Sequence, residues 1–339
     1  MSVTIYRDEI FLKHRLEGHP ESPERLAAIT ARLEGLDQHD LIWHRAAGPV
    51  SDEVLELVHP GDYWRALRDT CAAGSGWLDA DTYFTAQSYE VARRAVGTGV
   101  ACAVRTCEEH APGFALIRPP GHHAGPRQAM GFCLFNNVAV AARAVQLRDD
   151  IDRVAILDID VHHGNGTQDV FIEDPTVLYC SIHQAALYPG TGASTQKGRG
   201  PGQGTTVNVP LPPGTARAAW LAAFDTLLAP AVADFGPDLL LVSAGFDAHT
   251  RDGLADFDLT TRDFGDIAER VETLARATST GASAWLLEGG YSLQATADSV
   301  AAVVEVLRGP APAADLSAAG APEPARRTDP GRPPVSERG

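Results

Sequence analysis

The chain has 339 residues, and its 28 Lys and Arg against 44 Asp and Glu give a formal net charge of −16. This excess of carboxylates repels a phosphate backbone, so nucleic acid is disfavoured as a partner. The hydrophobic share of 44% is ordinary for a globular protein, and no run approaches the roughly 18 uncharged apolar residues of a membrane helix. The five scattered cysteines lack CxxC spacing and the first residues lack a secretion signal, so we expect reduced thiols and a cytoplasmic location.

Short β-rich apolar runs alternate with longer helical patterns along most of the chain. Several of the runs are continuously apolar, as expected for strands that are covered on both faces. The predicted strands span residues 3–6, 114–118, 154–158, 177–182, 206–209, 239–243 and 284–287. The predicted helices span residues 23–36, 87–107, 136–147, 216–235, 260–277 and 293–307.

The alternation of strands and helices predicts an α/β domain with a parallel sheet over residues 1–308. Residues 309–339 are rich in Pro, Ala and Gly and have no apolar period. Such a segment buries too little surface to offset its ordering entropy, so we predict a disordered tail there.

Polar side chains follow five of the predicted strands. In chain order they are His122 and His123; Asp158, Asp160, His162 and Asn165; Ser181 and His183; Asp247 and His249; and Glu288 and Tyr291. Ligands bind beyond the carboxyl ends of the strands in open parallel sheets, so we expect these side chains to share one crevice.

Asp160 and His162 are the best candidates for metal ligands. Residues two apart on an extended segment face the same side, and Asp247 from another strand would complete an Asp2His set. Three protein ligands with one open position are typical of catalytic rather than structural zinc. The alternative is that the aspartates cap a turn and His162 is an ordinary packed histidine.

His122 and His123 follow a rigid Pro-Pro-Gly turn, and two histidines beside a metal-bound water suit a general base and a general acid. Each needs a partner on its other ring nitrogen, for which Asp158 and Asn165 are the candidates. Tyr291 follows two glycines and could donate a hydrogen bond to a developing oxyanion.

With these residues assembled, the chain resembles the histone deacetylase and acetylpolyamine amidohydrolase superfamily. The resemblance extends from HPESPERL at residues 19–26 to about Arg308. It is carried by RPPGHHA (118–124), GFCLFNN (131–137), LDIDVHHGNGTQ (157–168), SIH and YPGTG (181–192), NVPLPPG (208–214), SAGFDAH (243–249) and LEGGY (287–291).

The resemblance implies the arginase–deacetylase fold, a single domain with a parallel eight-stranded sheet flanked by helices. It implies one Zn2+ per chain on Asp160, His162 and Asp247, with His123 as general base and acid and His122 as its electrostatic partner. Asp158 would pair with His122 and Asn165 with His123, while Tyr291 would polarise the acetamide carbonyl. The asparagine at position 165 is similar to the class II branch.

The resemblance also implies residues that contact potassium and the substrate. Asp158, Ser181 and Ile182 would contribute to a potassium site. Gly131, Phe132 and Tyr188 would line a tunnel for the aliphatic chain of the substrate, and Asp81 would be a carboxylate at its rim.

The sequence therefore predicts zinc-dependent removal of acetyl from an N-acetylated primary amine, either acetyl-lysine or an acetylpolyamine. Two alternatives stay open: a two-manganese, arginase-like ureohydrolase and a non-catalytic protein that binds acyl ligands. We expect a peptide or small-molecule substrate and no membrane partner. The sequence does not decide the oligomeric state, for which a homo-oligomer is one option.

Overall fold

A computed structural model describes residues 2–309, so the predicted tail lies, except for Gly309, outside the described residues. The strands of the described chain are β1 (Val3–Arg7), β2 (Leu41–Arg45), β3 (Gly76–Trp77), β4 (Tyr83–Phe84), β5 (Gly113–Ala115), β6 (Val154–Asp158), β7 (Val177–Gln184), β8 (Thr206–Leu211), β9 (Leu239–Ala244) and β10 (Ser283–Leu287). The main sheet has eight strands in the order β2-β1-β5-β10-β9-β6-β7-β8, and its neighbouring strands pair in parallel. The predicted parallel eight-stranded sheet is confirmed.

Helices cover the sheet. They are α1 (Pro23–Glu34), α2 (Asp52–Leu55), α3 (Gly61–Ala73), α4 (Ser88–Glu109), α5 (Asn137–Val145), α6 (Asn165–Phe171), α7 (Arg217–Ala223), α8 (Ala229–Phe235), α9 (Thr261–Thr278) and α10 (Leu293–Leu307). Every residue of β6, β9 and β10 is buried, because helices cover both faces of the central strands. The Thr260 and Asp263 side chains form a capping box that fixes the start of α9.

Strands β2, β3 and β4 and helices α2, α3 and α6 were not predicted, and several predicted elements have other bounds. Strand β2 was not predicted, because it lies at the sheet edge, is only partly buried and contains His and Arg within LIWHR. Strand β5 ends at Ala115 rather than at Arg118. The predicted helix over residues 216–235 is interrupted by a π-helical turn at Phe224–Leu228.

The segment Arg217–Phe235 runs from α7 through the π-helical turn to α8. By its length and its mean hydropathy of 1.3 it is long and apolar enough to cross a membrane. Core helices of soluble proteins meet the same test, so length and composition are weak evidence here. The segment carries Asp225 and buries Trp220, Phe224 and Leu228 against the protein.

A buried ionic cluster of Glu21, Arg25 and Arg118 joins the amino-terminal segment to the carboxyl ends of the central strands. All three side chains are fully buried. The Arg118 guanidinium donates to both carboxylate oxygens of Glu21 at 2.5 and 2.6 Å, and Arg25 donates to the Gly290 carbonyl at 2.6 Å. Burial alone would raise the pKa of Glu21, but Arg118 and Arg25 outweigh it and lower the pKa to about 2.

Glu21→Gln should lower the free energy of unfolding at pH 7 by about 3–5 kcal/mol, because two buried guanidinium groups lose their counter-ion. Because the folded pKa of Glu21 lies below its ordinary value, the stability it contributes is complete above about pH 4.5 and is lost as the pH falls towards 2. Urea unfolding curves at several pH values measure both effects. Glu34→Gln, which breaks the exposed Arg7–Glu34 pair, is the control and should cost less than about 1 kcal/mol. A cost for Glu21→Gln that does not shrink in acid would contradict this account.

Candidate active site

The candidate site lies beyond the carboxyl ends of β5, β10, β9 and β6, which are neighbours in the sheet. The turn after β5 carries the His122–His123 pair, and the segment after β6 carries Asp160 and His162. The turns after β9 and β10 carry Asp247 and Tyr291. The sheet order therefore brings together residues that lie far apart in the sequence, as the strand-end pattern predicts.

Asp160, His162 and Asp247 offer ligand atoms that lie within 4.8 Å of one another. The Nδ1 atom of His162 is 3.1 Å from Asp160 Oδ1 and 3.1 Å from Asp247 Oδ2. The two carboxylates are buried, and burial together with the charge of Asp160 raises the pKa of Asp247. Two buried carboxylates and one imidazole that converge in this way fit a divalent cation such as zinc.

Backbone groups fix the orientation of the two carboxylates. Gly289 N donates to Asp160 Oδ2 at 2.9 Å, and Val161 N donates to Asp247 Oδ1 at 2.9 Å. A Cβ atom at Gly289 would lie 2.2 Å from Asp247 Oδ2. The first glycine of LEGGY is therefore required by the close approach of the carboxylates.

The adjacent histidines each have the partner that the sequence predicts. His122 Nδ1 donates to Asp158 Oδ2 at 3.1 Å, and His123 Nδ1 donates to the Asn165 Oδ1 atom at 2.8 Å. The two rings are buried with their centroids 4.0 Å apart. Because each Nδ1 atom is a donor, the Nε2 atom of neutral His123 carries a free lone pair.

The two histidines have opposite electrostatic environments. Burial lowers the pKa of His123 well below its ordinary value, and the neighbouring His122 and His162 lower it further. Burial also acts to lower the pKa of His122, but the charges of Asp160 and Asp158 outweigh it and raise that pKa well above the ordinary value. This difference favours a neutral base at His123 beside a cation at His122.

The aromatic side chains of Phe132 and Tyr188 contact residues of the site. The Phe132 ring is 5.7 Å from that of Tyr291, and the Tyr188 ring is 5.1 Å from that of His123. Gly131 has a φ of +56°, and a Cβ atom there would lie 2.4 Å from the His123 ring. Phe132 thus packs against Tyr291, and Gly131 and Tyr188 pack against His123; that these three residues line a tunnel for the substrate stays a prediction.

Asp81 lies on the turn between β3 and β4, and its neighbour Thr82 contacts Phe132. Phe132 N donates to the Thr82 hydroxyl at 3.1 Å, and the Asp81 carbonyl is 3.1 Å from His19 Nε2. The His19 ring packs edge-on against Phe132 at 4.7 Å. Burial and the carboxylate of Asp79 raise the pKa of Asp81. The sequence predicted Asp81 at the rim but gave His19 no role beyond the motif that contains it.

Ser181 lies beside Asp158 in the register of β6 and β7, and its hydroxyl group is 2.9 Å from His183 Nδ1. Ile182 is buried in the same strand. A potassium ion at these residues stays a prediction.

Two buried carboxylates near the site were given no function by the sequence. Asp252 accepts hydrogen bonds from the backbone N–H groups of Tyr291 and Ser292 at 2.6 and 2.9 Å. Glu288 accepts from Gly121 N at 2.6 Å and from His122 N at 3.1 Å. Both act on backbone donors, which no side-chain spacing reveals.

Known proteins resemble this chain over nearly its whole described length. Residues 19–307 match the family described as histone deacetylase domain. Histone deacetylase 10, chloroplastic, of Oryza sativa subsp. japonica is 40% identical over 88% of this chain and 71% of that protein. The histone deacetylase-like amidohydrolase of Pseudomonas aeruginosa is 38% identical over 86% and 77% of the two chains.

A crystal structure of the HDA15 HD domain superposes with a TM-score of 0.84 at 36% identity, covering 91% of this chain and 90% of that one. The order of the strands, the strand-end motifs and these similarities agree with one another. The chain therefore belongs to the histone deacetylase family, whose members include deacetylases and amidohydrolases.

Proposed function

We propose that this protein is a zinc-dependent deacetylase that hydrolyses an N-acetylated primary amine to acetate and the free amine. The observation that carries the proposal is the convergence of Asp160, His162 and Asp247 beside a histidine with a free Nε2 atom. Zinc held by these side chains supplies a Lewis acid and lowers the pKa of water. Fe2+ and Co2+ suit the same ligands. The activity should therefore be measured on protein that is loaded with zinc alone.

In this proposal, His123 is the general base and acid of the reaction. Its Nε2 atom takes a proton from the attacking water and later returns a proton to the departing amine. Asn165 holds the ring in the tautomer that leaves Nε2 free. The neighbouring His122, paired with Asp158, adds positive charge as the oxyanion develops.

Tyr291 would stabilise the oxyanion of the tetrahedral intermediate with its hydroxyl group. Burial raises the pKa of Tyr291 well above its ordinary value, so the hydroxyl keeps its proton and can donate it in a hydrogen bond. The Arg25 guanidinium carbon lies 5.0 Å from the centroid of the Tyr291 ring and packs over its face.

Tyr291→Phe should reduce kcat by about 10²- to 10³-fold, because it removes one oxyanion donor and little else. The zinc content should stay at one per chain, since Tyr291 is not among the three proposed ligands. Tyr89→Phe, which removes a hydroxyl that accepts from Arg93 away from the site, is the matched control. Unaltered turnover in the Tyr291→Phe variant would remove this hydroxyl from the reaction.

The substrate is proposed to be acetyl-lysine or an acetylpolyamine. The Phe132 and Tyr188 rings suit a methylene chain, and the net charge of −16 attracts cations at long range. Asp81 at the rim would contact the amine or the backbone of the substrate.

The test is kcat/KM of the zinc-loaded protein on an acetyl-lysine peptide beside acetylputrescine and acetylspermidine. Preference for the peptide would assign the protein to lysine deacetylation, and preference for the polyamines would assign it to polyamine deacetylation. Absence of turnover on all three by the zinc-loaded protein would contradict the proposed substrates.

We also propose a cytoplasmic protein, on the basis of its thiols. All five cysteines are buried and free, which suits a reducing compartment. We further propose that a potassium ion binds beside Asp158 and Ser181. The test is whether the activity rises more with added KCl than with added NaCl.

A further inference from the structure

Glu288 is a fully buried carboxylate at the centre of the site, and the proposed reaction does not use it. Its Oε2 atom accepts two hydrogen bonds from consecutive backbone groups, Gly121 N at 2.6 Å and His122 N at 3.1 Å. Its Oε1 atom is 3.5 Å from the Ser243 hydroxyl oxygen. One carboxylate oxygen thus binds the turn from which the two histidines project.

The first two backbone N–H groups of the histidine turn both donate to Glu288. Pro119 and Pro120 have no N–H groups, so Gly121 and His122 provide the first donors after Arg118. A buried N–H group left without an acceptor costs about 1–3 kcal/mol, so the two bonds to Glu288 favour one position of this turn, together with the Asn137 side chain that donates to the Pro119 carbonyl at 3.1 Å. The turn is also tightly enclosed, since a Cβ atom at Gly121 would lie 2.5 Å from Asn137 N.

The backbone of Glu288 is anchored on both sides. Its N–H group donates to the Ala244 carbonyl at 2.9 Å, and its carbonyl accepts from Arg25 Nη2 at 2.5 Å. The next residue, Gly289, donates to the metal-ligand candidate Asp160. Glu288 therefore joins the histidine turn to the turns that carry the metal ligands and Tyr291.

We propose that Glu288 is a positioning residue, which sets the place of His122 and His123 relative to the metal ligands by accepting the two backbone N–H groups. This inference rests on the proposed function of the histidine pair. Its role is that of an acceptor at a fixed distance, so it depends on the reach of the side chain and not on its charge.

Two conservative variants of Glu288 separate the effect of its side-chain length from the effect of its charge. Glu288→Gln keeps an oxygen at the same distance, while its amide nitrogen can donate to the Ser243 hydroxyl. Glu288→Asp keeps the charge but withdraws the oxygen by one methylene, about 1.5 Å. We expect Glu288→Gln to keep kcat within about threefold of the wild type and Glu288→Asp to lower it by about 10- to 100-fold, because a displacement near 1 Å costs about 10²-fold. In both variants KM should stay within about twofold and zinc at one per chain.

Glu272→Gln and Glu272→Asp are the matched controls. Glu272 is also a buried carboxylate next to a strand, but it accepts from the Ser283 hydroxyl away from the histidine turn. Both control variants should leave kcat within about twofold. A lower kcat in Glu288→Gln than in Glu288→Asp would assign the role to charge, and wild-type kcat in both would remove the role; either result overturns the proposal.

Nitrogen-15 NMR of the histidine rings tests the positioning without turnover. The His123 signals, assigned from the His123→Ala variant, should shift in Glu288→Asp and stay in place in Glu288→Gln. If the wild type hydrolyses no acetylated amine, the proposed function fails while this comparison still decides whether Glu288 positions the pair. Unmoved signals in Glu288→Asp would overturn the inference whatever the activity.

Discussion

Replacing His123 with alanine should lower kcat by about 10³- to 10⁴-fold, at the upper end of the range for a general base. The imidazole is buried, donates from Nδ1 to Asn165 and has a pKa held well below the ordinary value, so it is neutral and can accept a proton at pH 7. Few other groups could take over this task. His122 is engaged with Asp158, and its raised pKa makes it a poor base.

Steady-state kinetics at saturating substrate, together with zinc analysis, measures the effect of His123→Ala. His39→Ala, which removes an exposed histidine before β2, should leave kcat within about twofold. Asn165→Ala is expected to produce a smaller loss, because the ring remains but its tautomer is no longer fixed. If His123→Ala retained most of the activity while His122→Ala did not, the base would have to be reassigned to His122.

The strands that are buried on both faces of the sheet could be predicted from the sequence. Strands β6, β9 and β10 are covered on both faces, so their sequences are continuous apolar runs that differ from the helical patterns around them. Strand β2 has one neighbour in the sheet and an exposed Ile42, so its sequence carries no comparable signal. Strand β5 ends at Ala115, although Leu116 N still donates to the Tyr6 carbonyl at 2.9 Å, and the apolar run that continues to Arg118 did not reveal this end.

The side chains of the candidate site could be predicted from the sequence, but the residues that hold them in position could not. The spacing of Asp160 and His162, and their position after a buried strand, suffices to suggest a metal ligand pair. The acceptor roles of Glu288 and Asp252 depend on which backbone N–H groups approach them across 166 and 39 residues of sequence. That information lies in the packing of the strand ends and not in any local pattern.

Asp247→Asn should remove the metal from the site and reduce kcat by at least about 10³-fold, because metal activation is worth several kcal/mol of barrier and 1.4 kcal/mol corresponds to tenfold. The asparagine oxygen can still accept from Val161 N, as Asp247 Oδ1 does at 2.9 Å, so the backbone should stay in place. What is lost is the anionic oxygen that faces His162. Metal content after dialysis, measured by mass spectrometry, should fall from about one per chain to a small fraction, while the control Glu272→Gln keeps its metal.

The unfolding temperatures of the metal-free proteins give an independent test of the Asp247→Asn substitution. Burial and the charge of Asp160 raise the pKa of Asp247, which means that two ionised carboxylates are unfavourable there without a cation. Asp247→Asn should therefore not lower the unfolding temperature of the metal-free protein, whereas zinc should raise that temperature in the wild type alone. Within residues 2–309 these three ligands form one group, so the wild type should bind one catalytic ion. Two tightly bound divalent transition-metal ions per chain would instead favour the two-manganese, arginase-like alternative, because that chemistry requires a second set of ligands for such an ion.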